Sequence, residues 1–236
     1  MDPAAPSPRR TVASWLGRVP YAEATALQLR VRERLRCGEG PERLLLLEHP
    51  HVYTLGRNAD PADVLVPASW LRERGVEVVE SDRGGQVTYH GPGQLVGYPI
   101  LDLAPDRRDV RRYVRDLEEA LVRTLADFGI AGELRAGTEL VGVWVGEAKI
   151  AAIGIHLARW RTTHGFALNV APDLTLFAGI HACGFDRLSV ASIESLTGAR
   201  PPLAEVAARF AARFAEVFAR DLSWVGAEEL PARDRE

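Results

Sequence analysis

Residues 139–157 read Glu-Leu-Val-Gly-Val-Trp-Val-Gly-Glu-Ala-Lys-Ile-Ala-Ala-Ile-Gly-Ile-His-Leu. Two apolar runs, 139–145 and 149–157, flank Gly146-Glu147-Ala148, a short glycine-bearing connection that predicts a β-hairpin. Residues 163–170 follow as another strand. Further back, Leu44-Leu45-Leu46-Leu47 is a short apolar run between charged and turn residues, which reads as a buried strand. Residues 76–80 and 94–103 add two more strands. The first helix runs from about residue 21 to 36 behind Pro20, with Ala26, Leu27 and Val31 among its apolar positions. Val110, Tyr113, Val114, Leu117, Leu121, Leu125 and Phe128 recur at helical spacing over 109–129. Leu203, Val206, Phe210, Phe214, Val217 and Phe218 mark a C-terminal helix. Strands outnumber helices and arrive partly as hairpins. The expected class is therefore α/β of the α+β type, a mixed, largely antiparallel sheet flanked by helices.

The chain has 236 residues, 47% hydrophobic and 26% charged, with a formal net charge of -3. That balance creates no field favouring nucleic acid or a membrane surface, and no apolar run approaches a membrane span. Two cysteines, Cys37 and Cys183, are too few for a disulfide framework or a cysteine-built metal site. The Pro- and Ala-rich start lacks the apolar core of a signal peptide. A reducing cytoplasm is the expected compartment. Residues 1–10 are expected to be a disordered tail, 11–225 a single domain, and 226–236 a flexible tail, since no linker-like stretch or repeat lies between.

Residues 83–99, Arg-Gly-Gly-Gln-Val-Thr-Tyr-His-Gly-Pro-Gly-Gln-Leu-Val-Gly-Tyr-Pro, carry the strongest functional signal. Such a glycine cluster costs backbone entropy, and the usual reasons are positive φ or close approach of backbone to a ligand. Val87-Thr88-Tyr89-His90 in strand-like order favours a ligand-binding wall over a plain turn.

Cys183 sits in Gly-Ile-His-Ala-Cys-Gly-Phe. A thiolate there would attack acyl groups, although a free cysteine is commonly a small buried hydrophobe. For Cys37, at the end of an Arg-rich helix, the buried reading is kept. Lys149 either marks a strand end with its ammonium in water or turns inward, where a thiolate would be its natural partner. His49-Pro50-His51 lacks a spaced third ligand, so no zinc site is expected. His90 and His164, each before a glycine, suit a pocket rim or a structural role equally. No P-loop, dinucleotide fingerprint or serine nucleophile elbow is present.

Taken together, several stretches resemble the lipoyl(octanoyl) transferases, the lipoate–protein ligase B family. They are His49-Pro50 through Arg57, Arg83 through Tyr98, Gly142-Val143-Trp144-Val145, Lys149 through Gly154, Thr163 through Val170, and Cys183-Gly184. They occur in the family's order. The resemblance implies the fold of biotin and lipoate protein ligases. It also implies transfer of an octanoyl or lipoyl group from acyl carrier protein to a lysine of lipoyl domains. The acceptors would be 2-oxoacid dehydrogenase E2 subunits and the glycine cleavage H protein. The donor group would arrive on the carrier's phosphopantetheine arm, with no further cofactor and no metal. The family's acyl-carrying cysteine and its lysine partner map onto Cys183 and Lys149. Ala182 stands where the family commonly has proline.

On that reading Arg83, Gly84, Gly85, Gln86, Val87, Thr88, Tyr89 and His90 form one substrate wall. Ala152, Ile153, Gly154, Gly165, Phe166 and Ala167 form another. Burial of each methylene at about 0.8 kcal/mol makes an eight-carbon chain a sizeable handle. The rival is an ATP-dependent lipoate or biotin ligase of the same fold, which would activate a free acid and need no cysteine.

Overall fold

The computed structural model describes residues 8–137, 140–181 and 189–231. Its strands are β1 (Arg9–Arg18), β2 (Glu42–Glu48), β3 (Val52–Leu55), β4 (Glu77–Glu80), β5 (Val87–His90) and β6 (Gln94–Ile100). They continue with β7 (Glu133–Leu134), β8 (Gly142–Val145), β9 (Ala148–Ala158), β10 (Arg161–Asn169) and β11 (Arg220–Trp224). The helices are α1 (Tyr21–Cys37), α2 (Ala68–Glu73), α3 (Val110–Ala126), α4 (Ile193–Thr197) and α5 (Leu203–Phe218).

Among the described residues, eight strands form one sheet in the order β11-β1-β2-β6-β10-β9-β8-β7. The β1 pairings with β11 and β2 are parallel, and every other pairing in this sheet is antiparallel. A second sheet, β4-β3-β5, stands beside it. The α+β class and the hairpin at 146–147 hold, with Trp144 opposite Lys149.

Period-2 alternation splits the large sheet's side chains between two cores. Leu44, Leu46, Leu95, Phe166 and Leu168 face α3 and α5, while Leu45, Leu47, Val96, Tyr98 and Ala167 face α1. Asp109 starts α3 by accepting the Arg112 N–H, and Phe210, Phe214 and Phe218 carry the buried face of α5. Gly38, left-handed, closes α1.

Strand and turn structure reaches into both stretches expected to be tails. Arg9 and Arg10 open β1 in register with Arg220 and Asp221. Their charge is accommodated because Arg9 meets Glu42 and Asp106, each at 2.8 Å. Glu42 in turn holds Arg220 at 2.9 Å inside the sheet. At the other end, residues 227–229 form a 3-10 turn, Glu229 O accepts from Arg43, and Leu230 packs on the α1-side core. Cys37 is exposed at the end of α1, beside Arg36 and Glu33, rather than buried. No helix among the described residues is long and apolar enough to cross a membrane.

Candidate active site

The loop before β5 crosses over β9 and encloses a cavity. Its backbone is clamped on both sides. Arg57 N–H donates to Arg83 O at 3.0 Å and Asn58 N–H to Gly85 O at 3.1 Å, while Gly84 N–H donates to Ile155 O at 2.8 Å. A Cβ on Gly154 would stand 3.0 Å from Gly84 O, so the missing side chain is what lets the loop lie this close to the sheet. Arg83, only 7% exposed, staples the loop to β3. Its Nη2 donates to Thr54 O at 2.5 Å, and its Nη1 to Gly84 O at 3.1 Å.

The cavity encloses about 350 Å³. Of the residues expected to bind substrate, Arg83, Gly84, Gly85, Gln86, Val87, Thr88 and His90 line it from the loop and β5. Ala152, Ile153, Gly154, Gly165, Phe166 and Ala167 line it from β9 and β10. Tyr89 does not. It points to the far side of the small sheet, where its hydroxyl meets His51 Nδ1 at 2.9 Å and its ring packs on Phe177. The alternation along β5 that turns His90 inward turns Tyr89 away.

Sequence reasoning missed Tyr21, Asn58, Tyr98 and Val141, which also line the cavity, and left His164 open between pocket rim and structural support. His164 does both, lining the cavity while its Nε2 holds Asp82. Tyr98 lies within the glycine-rich stretch and could have been found there. Tyr21 arrives from the start of α1, and no local signal marks it.

Two polar side chains of the cavity wall, Tyr98 and His90, are held by buried hydrogen bonds. His49 Nδ1–H donates to Val19 O at 2.6 Å, so its Nε2 accepts from the Tyr98 hydroxyl at 2.7 Å. His90 Nδ1–H donates to Gln94 Oε1 at 2.8 Å, and Gln94 Nε2 donates to Asn169 Oδ1 at 2.9 Å. Burial lowers the pKa of His49 to about 4 and that of His90 well below the usual value, while burial raises that of Tyr98. All three are uncharged at neutral pH.

Lys149 opens β9 and turns inward, with 4% of its surface exposed. Nζ donates to Val141 O at 3.1 Å and stands 4.9 Å from the centroid of Trp144. The chain at 189–191 runs beside it. Lys149 N–H donates to Ser189 O at 2.9 Å, and Ala191 N–H to Lys149 O at 3.0 Å. Asn169 Nδ2 secures that segment through Ala191 O at 2.9 Å. Ala182 and Cys183 lie outside the described residues.

The buried amine of Lys149 lies at one side of a cavity lined mainly by apolar and neutral polar residues, with the Arg83 guanidinium also in its wall, and this suits binding of an acyl chain with its reactive end near the amine. The sequence signature of the lipoyl protein ligase A/B catalytic domain matches residues 20–215, and the chain belongs to this family. It is 52% identical over 204 residues to the octanoyltransferase of Solibacter usitatus, covering 86% of this chain and 90% of that one. To the octanoyltransferase of Chloroflexus aurantiacus it is 50% identical over 214 residues, 89% and 95% of the two chains. Identity of this extent makes the chain an acyltransferase of octanoyl transfer in protein lipoylation.

Solved structures agree on the fold at much lower identity. Lipoate-protein ligase A bound with ATP superposes with TM-score 0.72 at 17% identity, over 94% of this chain and 90% of that one. A bi-partite lipoate protein ligase described with its E2 lipoyl domain from Thermoplasma acidophilum gives 0.70 at 19%, over 94% and 88%. Biotin protein ligase from Aquifex aeolicus gives 0.51 at 12%, over 89% and 69%.

Proposed function

We propose that the chain takes an octanoyl group from the phosphopantetheine arm of acyl carrier protein and passes it to a lysine of lipoyl domains through a Cys183 thioester. The acceptors are 2-oxoacid dehydrogenase E2 subunits and the glycine cleavage H protein, and the setting is the cytoplasm, where a thiol stays reduced. The carrying observation is the placement of Lys149, buried at the cavity with its backbone paired to Ser189 and Ala191. Ser189 follows Cys183 by six positions in the sequence.

The Cys183 thiolate attacks the thioester carbonyl, forming a new C–S bond as the bond to the carrier's sulfur breaks. The Lys149 ammonium gives its proton to the departing thiolate. Thioester replaces thioester, so the step is nearly balanced and needs no ATP or other cofactor. The acceptor lysine then attacks as a neutral amine, the now neutral Lys149 takes its proton, and Cys183 leaves as thiolate. The walls from Arg83 to His90 and from Ala152 to Ala167, Tyr89 excepted, hold the chain.

Mixing the protein with octanoyl-carrier protein, without ATP, is expected to add one hydroxylamine-labile octanoyl group. C183S is expected to show none, and added lipoyl domain to discharge the adduct. Full transfer by C183S, with free octanoate and ATP as donor, would instead identify a ligase.

A further inference from the structure

One peptide unit separates Lys149 from a buried carboxylate on the other side of the sheet. The carbonyl of Val141 accepts the Lys149 ammonium at 3.1 Å. The N–H of Gly142, the other end of that same peptide bond, donates to Glu118 Oε1 at 2.9 Å. In a trans peptide the C=O and N–H point in opposite directions, so the unit lies with its oxygen on the cation and its hydrogen on the carboxylate.

Two features mark this arrangement as built rather than incidental. Glu118 stands on the buried side of α3, 9% exposed, next to the core residue Leu117 and one turn before Leu121. A carboxylate there loses hydration that an apolar residue would not need, and the Gly142 N–H is the hydrogen bond that offsets the loss. Position 142 admits only glycine. Its φ is +133°, and a Cβ would fall 2.3 Å from Ala151 O. The backbone has adopted an orientation reserved for glycine next to a carbonyl that meets the Lys149 amine.

We infer that Glu118 is a positioning residue for acyl transfer, its carboxylate fixing the Val141–Gly142 peptide so that the Val141 carbonyl holds the Lys149 amine at the cavity. This rests on the proposed proton-transfer role of Lys149. Glu118 acts through the peptide, and E118Q separates that route from the direct attraction between its charge and Lys149.

The test compares E118L and E118M, which remove the acceptor and keep the side-chain volume, with E118Q, whose amide oxygen still accepts from Gly142. Single-turnover octanoylation of Cys183 is expected to slow about tenfold in folded E118L or E118M, and to stay within about twofold of the parent in E118Q. The pH profile of Cys183 alkylation should move in E118L but not in E118Q. Combined with K149A, E118L should slow the reaction no further than K149A alone, because its effect runs through Lys149. Parent rates in both E118L and E118M overturn the inference, as do E118Q rates as low as theirs, or a double variant slowed by the product of the single effects. Failure of K149A to impair octanoylation removes the reading of Lys149 itself. An impaired K149A beside an unimpaired E118L removes only the role of Glu118.

Discussion

Asp82 Oδ1 lies 2.6 Å from His164 Nε2, and its second oxygen meets His156 Nδ1, so one loop carboxylate ties the loop to both β9 and β10. Burial lowers the pKa of His164, and Asp82 opposes that without reversing it. Burial alone would raise the pKa of Asp82, but the hydrogen bonds from His164 and His156 hold it below the ordinary value. His49, lowered to about 4 by burial, and His90 push in the same direction.

Acid should therefore destabilise the fold well above the carboxylate range. Each of the His49, His90 and His164 imidazoles titrates lower in the folded chain than in the unfolded one. Its contribution is present above 6.5, the ordinary histidine value, and is lost as pH falls from there through the folded value. For His49 alone, the fall from 6.5 to about 4 corresponds to about 3 kcal/mol. The urea midpoint is expected to drop clearly between pH 7 and pH 5. A flat midpoint over that range would mean that the imidazoles protonate in place at no cost.

Gly97 should not tolerate alanine. A Cβ there would lie 2.1 Å from Phe166 Cε1, and Phe166 has no slack because its ring packs 4.2 Å from that of Phe210 on α5. Overpacking of this kind costs about 1–3 kcal/mol. G97A should lower Tm by several degrees, and it should also disturb the cavity wall that Phe166 forms. An unchanged Tm would show that the ring can move aside freely.

What the sequence made legible follows from how local each signal is. The helical spacing over α3 and α5 and the glycine turn of the β8–β9 hairpin are complete within one segment, and the structure keeps them. β1 and β11 were not picked out as strands, and only Arg9 and Arg10 of β1 fell within an expected tail. Arg220 can be buried because Glu42, 178 residues away, and Asp106 pair with it. The inward turn of Lys149 depends on a carbonyl across the hairpin, and the spacing of charges along β9 does not reveal it. Tyr89 was misplaced for a different reason, since the period-2 alternation of β5 was available and sends it away from His90. The contribution of α1 to the cavity through Tyr21 exists only once α1 packs on β10.

Arg83→Lys is expected to behave as a disruptive change. The guanidinium gives Nη2 to both Thr54 O and Thr54 Oγ1, at 2.5 and 2.8 Å, and Nε to Oγ1 at 3.1 Å. An ammonium keeps the charge but cannot span that fork. Loss of about 1–3 kcal/mol should appear as a lower Tm, and a loosened loop over β9 as a raised KM for the octanoyl donor. Parent-like Tm and KM in R83K would show that charge alone secures the loop.

Acyl-chain length should respond to the small residues of the sheet floor. Ala152 and Ala167 face each other across β9 and β10, and Gly154 faces Gly165 two positions on. Four neighbouring positions thus carry no more than a methyl group, and the cavity lies over them. Leucine at 152 or 167 would occupy space now open to the substrate. Each methylene that can no longer be buried costs about 0.8 kcal/mol, roughly fourfold in affinity. A152L and A167L are therefore expected to lose octanoyl adduct preferentially and to retain adduct with butanoyl or hexanoyl donors. Competition between donors of different length, read by intact mass, measures the ratio directly. An equal loss for every chain length would mean that the acyl group does not lie along this floor.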